Sequence, residues 1–198
     1  VRNNLQELTS GTGVIVGRES KNDKEVFYVI TAAHVLGKDE KTLKGVDVRV
    51  VFPTKETFAT VSSSYYPAQL LFFNWFFEYV FLKVEVPKSD VDSLEVEVAA
   101  ISQEMPKSLE ESWVSGFYRR RYLVANKAYL SHMTINETGS ANDGTPFIIG
   151  VDLHFIASGI NGTGMSGGGV FNTKGELIGM AWAVKGDNIV SAIPALLI

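Results

Sequence analysis

Two short segments of the chain carry residue types that could perform covalent chemistry together. Residues 28–36 (YVITAAHVL) form a β-branched run that leads through two alanines to His34. Residues 162–171 (GTGMSGGGVF) place Ser166 between glycines, which allow positive φ angles and a close approach of backbone to ligand. This pattern predicts acyl transfer, with Ser166 as nucleophile and His34 as the base that removes its proton. The N–H groups of Gly164 and Ser166 would then form an oxyanion hole.

Each segment also has a simpler interpretation when it is taken alone. A single histidine at a strand end is usually a partly buried polar residue. The glycine run matches G-x-G-x-x-G from Gly162 to Gly167, but a dinucleotide site should follow a strand and open a helix. Here the glycines lead into a further apolar run, so the remaining alternative for this segment is an ordinary flexible loop.

Together, the two segments resemble the signatures of chymotrypsin-fold serine proteases, whose histidine follows T-A-A-H and whose serine lies in G-x-S-G-G. The chain is most similar to HtrA-type and other cysteine-free bacterial or viral relatives. Residues 11–16 (GTGVIV) resemble their opening strand, and residues 191–194 (SAIP) resemble their F-A-I-P segment. The resemblance implies an all-β fold of two six-stranded antiparallel β-barrels, with the active site in the cleft between them.

The family places its acid at the head of a strand that commonly reads D-I-A-L-L-K-V, and residues 78–84 (EYVFLKV) correspond to it. The resemblance therefore implies Glu78 as the third catalytic residue, with one more methylene than aspartate. A solvated carboxylate at the strand end is the alternative for Glu78. Asp39 and Asp47 are further acids, but both are close to His34 in sequence for this architecture.

The resemblance also implies where substrate binds. Ile160 and the adjacent Asn161 stand near the position that determines the primary pocket in trypsin-like relatives. No acid occurs between His154 and Ser166, which disfavours selection of arginine or lysine and favours a small or medium apolar residue before the cut. The substrate is expected to add as an extra strand alongside Ala181, Trp182 and Ala183.

Composition limits the other functions that the chain can have. Its 198 residues are 45% hydrophobic and include no cysteine, which excludes disulfides and thiolate catalysis. A net charge of −4, with residues 119–121 as the only tight basic run, argues against nucleic-acid binding. We expect a protein or peptide substrate, and no cofactor or metal.

Short apolar runs with period-two character predict many β-strands and no regular helices before the end of the chain. We predict strands at residues 13–17, 26–31, 46–52, 58–64, 79–84, 113–117, 122–132, 147–156, 169–172, 177–184 and 189–192.

The polar stretch 101–112 is predicted to link an N-terminal barrel (1–100) to a C-terminal barrel (113–198), and residues 136–146 are predicted to form a mobile loop. Residues 70–77 are more apolar than a connecting loop usually is, which leaves a partner-contact patch or packing over the core as alternatives. Charged and polar interruptions exclude a transmembrane span there. The chain begins without a signal pattern, as expected of a piece of something longer.

Two competing functions remain open at the level of sequence. A pseudoprotease would keep the cleft as a peptide-binding module, with turnover lost through Glu78 and through Gly169, which replaces the proline usual after the serine motif. Intact His34 and Ser166 argue against that interpretation. An esterase would place its serine in a G-x-S-x-G elbow before a helix, whereas a strand is predicted to follow here.

Overall fold

The computed structural model describes residues 9–37, 47–55, 65–75, 77–119, 122–140, 146–159, 162–186 and 188–198. The chain is all-β, as predicted, with two single-turn helices and one 3₁₀ turn among these residues. In chain order the elements are β1 (Val14–Lys21), β2 (Lys24–Ala32), α1 (Ala33–Leu36), β3 (Arg49–Val50), β4 (Tyr66–Asn74), β5 (Tyr79–Pro87), α2 (Lys88–Val91), β6 (Glu111–Tyr118), β7 (Tyr122–Ser140), β8 (Pro146–Ala157), β9 (Gly169–Asn172), β10 (Leu177–Lys185), β11 (Ile189–Pro194) and a 3₁₀ turn (Ala195–Leu197).

The N-terminal strands form an antiparallel sheet in the order β1-β2-β5-β4-β3. Strand β2 is buried on both faces, which explains its continuous apolar sequence. Phe27 and Val29 pack with Leu82 and Val84 of β5 in the core of this unit. On the opposite face, Ile30 and Ala32 at the end of β2 pack against the C-terminal half of the chain.

The C-terminal strands close into a six-stranded antiparallel barrel in the order β10-β11-β8-β7-β6-β9. Inward-facing Leu153 and Phe155 of β8 pack with Val190 and Ala192 of β11 in its core. Barrel closure gives every strand a neighbour on each side, although β9 accompanies β10 only as far as Met180.

A separate hydrophobic cluster joins the two units. Ile30 and Ala32 from β2 pack with Leu177, Met180 and Ile193 from the C-terminal barrel, and all five are at most 3% exposed. This cluster fixes the end of β2 against the barrel. The chymotrypsin-like two-unit fold expected from the sequence is therefore confirmed.

Several details differ from the predicted elements. The strand predicted at 46–52 is reduced to Arg49–Val50, and the strand predicted at 58–64 lies outside the described residues. Strand β4 (Tyr66–Asn74) was not predicted. The mobile loop predicted at 136–146 is wrong at both ends, because β7 continues to Ser140 and β8 begins at Pro146, and ladder hydrogen bonds override the turn-forming composition.

The predicted linker also contains ordered backbone pairing. Ile101 bridges Leu177 of the C-terminal barrel, and β6 already begins at Glu111. The division at residues 101–112 remains our proposal for the boundary between the two units.

Part of the apolar stretch 70–77 packs over the core, and the partner-contact patch stays a prediction. Phe73 and Trp75 pack against the N-terminal core, whereas Phe72 and Phe77 are about half exposed. In the described part of the chain, no helix is long and apolar enough to cross a membrane.

A pair of phenylalanine substitutions tests this assignment of core and surface. Phe27 is 1% exposed and Phe72 is 47% exposed. Phe27→Ala should lower the free energy of unfolding by about 3–5 kcal/mol, because it removes buried surface and leaves a cavity. Phe72→Ala should cost about 1 kcal/mol or less. Equal losses in denaturant titrations would show that the sides of the sheet are assigned wrongly.

Candidate active site

His34 lies where β2 ends and α1 begins. Ala32 and Ala33 are fully buried there, so their small side chains let the strand end pack closely against its surroundings. His34 itself follows them into the cleft, and 38% of its side chain is exposed to solvent. The two alanines therefore fix the backbone while the imidazole remains accessible.

Glu78 closes the tight turn between β4 and β5. The N–H of Phe77 donates to Asn74 Oδ1 at 3.0 Å, and the N–H of Glu78 donates to the carbonyl of Trp75 at 3.2 Å. These bonds hold Glu78 at a φ of 58°, in the left-handed region that costs a non-glycine residue about 1–2 kcal/mol. The turn therefore imposes an unfavourable backbone conformation that redirects the Glu78 side chain.

The redirected carboxylate lies against α1. Glu78 Oε1 accepts the backbone N–H of His34 at 3.0 Å and forms a short hydrogen bond with His34 Nδ1. The carbonyl of Glu78 accepts the N–H of Ala33 at 3.1 Å. Glu78 thus holds the first turn of α1 through both its backbone and its side chain, and its extra methylene is accommodated by the left-handed turn.

The carboxylate of Glu78 is almost completely removed from water, with 1% of its side chain exposed. Its second oxygen, Oε2, has no hydrogen-bond partner among the described residues. A buried carboxylate is costly unless hydrogen bonds or an opposite charge compensate it. Within the described structure, the compensating hydrogen bonds come from the backbone N–H and the imidazole of His34.

Of the other two acids considered from the sequence, one is described and lies outside this arrangement. Asp47 is exposed and forms an ion pair with Arg49. Asp39 lies outside the described residues. In the part of the chain that the structure describes, no three histidine, aspartate or glutamate side chains are grouped so that they could hold a metal ion.

Ser166 lies in a loop of consecutive turns at the rim of the C-terminal barrel. The N–H of Met165 donates to the carbonyl of Gly162 at 3.1 Å, and the N–H of Gly168 donates to the carbonyl of Met165 at 2.8 Å. Met165 is 2% exposed within the barrel core, so it anchors the loop directly before Ser166. The residue after Ser166 must be glycine, because its φ is 85° and a Cβ there would collide with the carbonyl oxygen of Thr12.

The loop leaves two amide groups available. The N–H groups of Gly164 and Ser166 donate no hydrogen bond among the described residues, whereas those of Gly167 and Gly168 are both bonded. Gly164 has a φ of 96°, a conformation that favours glycine. Two unpaired N–H groups on either side of Met165 are the donors that an oxyanion site requires.

The Ser166 loop and the His34 segment are in direct contact. A Cβ on Gly167 would collide with Thr31 Oγ1, and a Cβ on Gly11 would lie 2.6 Å from the carbonyl oxygen of Ser166 and close to Val35. The Ser166 hydroxyl donates to the carbonyl of Trp182 at 3.4 Å, and within the described structure it makes no hydrogen bond to His34. Such a bond is often absent before substrate binds.

A small apolar cavity of about 10 Å³ opens beside Ser166. Its lining comes from the loop and from facing strands of the barrel: Val114, Met165, Ser166, Ala181, Ala183, Val184 and Val190. Ala181 and Ala183 were predicted from the sequence, whereas Val184 and Val190 were not. Ile160 and Asn161 lie outside the described residues.

Trp182, the third residue of β10 that was predicted to bind substrate, does not line the cavity. Trp182 forms a β-bulge in β10. Ala181 pairs with Ala192 of β11 and Ala183 pairs with Ser191, so the pairing register passes over Trp182. Such a bulge re-aims the residue that it contains. The Trp182 side chain turns away from the cavity, and its Nε1–H donates to Asp152 Oδ1 at 3.0 Å.

Asp152 belongs to a buried polar cluster that sequence reasoning missed. His154 Nε2 lies 3.3 Å from Asp152 Oδ2, and His154 Nδ1 lies 3.2 Å from Ser191 Oγ. Asp152 and Ser191 are 0% exposed and His154 is 3% exposed, so Ser191 cannot meet a substrate. The available signal was the spacing of Asp152 and His154, two residues apart on a strand and therefore on the same face.

Comparisons with known proteins agree with this geometry. The family model of the trypsin-like peptidase domain matches residues 11–180. A comparison with curated protein sequences finds no significant match.

Several solved structures share the fold. The active form of the Rv3671c protease from M. tuberculosis has a TM-score of 0.67 at 18% identity, covering 96% of this chain and 70% of that one. The protease domain of MamO from Magnetospirillum magneticum has a TM-score of 0.65 at 16% identity, covering 94% and 85%. The serine endoprotease from Yersinia pestis has a TM-score of 0.62 at 21% identity, covering 98% of this chain and 57% of that one.

At these identities the solved structures establish the fold, and the family model, which spans most of the chain, establishes the relationship. The chain belongs to the trypsin-like peptidase family and is a serine endopeptidase with the chymotrypsin fold.

Proposed function

We propose that His34, Glu78 and Ser166 form the catalytic triad and that peptide bonds are cut through an acyl-enzyme. The observation that carries this proposal is the double contact of Glu78 Oε1 with the backbone N–H and the Nδ1 of His34. A carboxylate at Nδ1 selects the tautomer in which Nδ1 carries the proton and Nε2 has the lone pair. Nε2 is then the base available to Ser166.

The proposed reaction has two stages, the acylation of Ser166 and the hydrolysis of the resulting ester. Ser166 Oγ attacks the scissile carbonyl carbon while its proton passes to His34 Nε2, and the N–H groups of Gly164 and Ser166 stabilise the oxyanion. The C–N bond then breaks, and His34 returns the proton to the departing amine. In the second stage His34 deprotonates a water molecule that attacks the ester, and Ser166 regains its proton as the acid product leaves.

The proposed orientation of substrate follows from the strands beside Ser166. Strand β9 pairs with β10 only as far as Met180, and β10 continues to Lys185 with no described strand beside that edge. An extended peptide can add to such an edge through backbone hydrogen bonds. Ala183 and the neighbouring residues of β10 would then align the substrate with Ser166.

The cavity beside Ser166 supports a preference for small apolar residues before the cut. Apart from Ser166, its described walls are alanine, valine and methionine side chains, and none of these described lining residues is charged. A volume of about 10 Å³ is at the lower limit for a single water molecule, so a large side chain would not fit without displacement of the walls. A basic side chain would find no carboxylate among these lining residues.

A fluorophosphonate probe tests the nucleophile. In the wild-type protein, Ser166 should displace fluoride from the probe and become phosphonylated. Ser166→Ala should remove all labelling. Ser158→Ala, at an exposed serine outside the site, should label like the wild type. A folded wild-type protein that does not label would overturn the proposal and favour a peptide-binding module without turnover.

Glu78 variants test the third member of the triad. Glu78→Gln keeps the length of the side chain but removes its charge and permits the wrong histidine tautomer, so kcat should fall by about 10³- to 10⁴-fold with a small change in KM. Glu78→Asp keeps the charge and should retain more activity than Glu78→Gln. If Glu78→Gln keeps wild-type kcat on a peptide substrate, Glu78 is not the triad acid.

Cleavage specificity can be tested with two valines that pack against the same core. Val184 and Val124 are both partly buried against the barrel cluster, but only Val184 lines the cavity. Val184→Ala should enlarge the cavity and shift the kcat/KM ratio for leucine over alanine before the cut by about 10-fold or more. Val124→Ala should leave that ratio unchanged, and equal profiles for both variants would place the primary pocket elsewhere.

A further inference from the structure

We propose that Thr12 is a positioning residue that aligns the oxyanion site, an inference that rests on the proposed function of Ser166. Thr12 belongs to the segment before β1, in the N-terminal unit, yet it is 8% exposed and contacts the Ser166 loop of the other unit. None of its polar groups faces a substrate in the proposed mechanism. Its effect would act through the loop alone.

Thr12 holds the loop at two carbonyl groups. Its hydroxyl donates to the carbonyl of Gly164 at 2.7 Å, and its backbone N–H donates to the carbonyl of Ser166 at 2.8 Å. These two carbonyls belong to the peptide groups on either side of the one that supplies the Ser166 N–H. Thr12 therefore fixes both neighbours of that peptide group.

The direction of the hydroxyl hydrogen bond is determined by a second contact. The backbone N–H of Phe117 donates to Thr12 Oγ1 at 2.8 Å. Because an N–H group can only donate, the Thr12 oxygen must accept from Phe117 and use its own proton for Gly164. The hydroxyl thus bridges β6 and the loop with one defined orientation.

The other side of Thr12 is held by β2. Thr31 Oγ1 donates to the carbonyl of Thr12 at 2.6 Å, three residues before His34. Gly11, Gly116 and Gly167 surround this junction, and a Cβ on any of them would lie within about 3.2 Å of Thr12 or of the Ser166 loop. The packing leaves little room for Thr12 to shift relative to the oxyanion donors.

The C=O and N–H of one trans peptide group point in opposite directions, so the anchored carbonyls of Gly164 and Ser166 orient the N–H groups of Met165 and Gly167. With the carbonyls of Gly164 and Ser166 bound to Thr12, the loop cannot rotate these peptide groups without breaking a buried hydrogen bond. The peptide group between them, which supplies the Ser166 N–H, is thereby restricted from both sides, and its own carbonyl, at Met165, accepts the N–H of Gly168 at 2.8 Å. A substitution can remove the hydroxyl of Thr12 with its hydrogen bonds, but it leaves the backbone N–H of residue 12 in place.

Thr12→Val and Thr12→Ser separate the hydroxyl from the volume of the side chain. Valine keeps the shape and removes the hydrogen bonds, whereas serine keeps the hydroxyl and removes a methyl group. Thr12→Val should lower kcat and the rate of fluorophosphonate labelling of Ser166 by about 10- to 100-fold, with KM changed less than about threefold. Thr12→Ser should stay within about threefold of the wild type in all three quantities.

Stability is measured beside activity so that unfolding is not mistaken for misalignment. Tryptophan fluorescence in denaturant gives the folded fraction, and rates are expressed per folded molecule. If Thr12→Val does not fold, Thr12→Ala against Thr12→Ser provides the same comparison, with the alanine variant expected to be the slow one.

The outcomes distinguish this inference from the proposed function. Wild-type labelling rates in folded Thr12→Val or Thr12→Ala would overturn the role of Thr12 while Ser166 remains the nucleophile. A slow Thr12→Ser variant would also overturn it, because the hydroxyl would then not be the determining group. A wild-type protein that fails to label would overturn the proposed function and this inference with it.

Discussion

The site depends on one buried interaction, the contact of the Glu78 carboxylate with the first turn of α1. A carboxylate removed from water needs hydrogen bonds, and the chain provides the backbone N–H of His34 together with its imidazole. The left-handed backbone of Glu78 opposes this arrangement, but two turn hydrogen bonds and the bond from Ala33 to the Glu78 carbonyl maintain it. Backbone strain at this position is thus compensated by the contacts that orient His34.

The serine loop follows a complementary principle, since the proposed oxyanion site needs amide groups that remain unpaired. Glycines let the loop turn tightly, but their freedom would also let the peptide groups rotate. Met165 in the barrel core and the hydrogen bonds of Thr12 limit that rotation from opposite sides. The interface cluster around Ile30 and Met180 then fixes the two units relative to one another, so that one unit supplies His34 and Glu78 and the other supplies Ser166.

The sequence predicted features that depend on local patterns better than features that depend on contacts between residues distant in the chain. Most strands with regular apolar patterns were located to within a few residues, and β9 was predicted with the bounds 169–172 that the structure has, but β7 extends eight residues beyond its predicted end. Strand β4 was missed because its apolar residues lie on its exposed face as well as its half-buried one, which removes the alternation that identifies a strand. The role of Thr12 is not visible in any local pattern, because its partner Gly164 is 152 residues away.

The bulge at Trp182 relates the proposed nucleophile to the buried polar cluster. A regular strand would direct the side chain and the carbonyl of this residue by the pairing of β10 with β11, but the bulge frees both from that register. The carbonyl accepts the Ser166 hydroxyl, and the indole N–H donates to Asp152, whose charge also attracts Lys185 at 3.6 Å. A tryptophan suits this position because its rigid side chain joins an apolar ring at the unit interface to a single donor. The buried Asp152 therefore holds the residue whose carbonyl accepts the hydroxyl of Ser166, which ties the position of the proposed nucleophile to the barrel core.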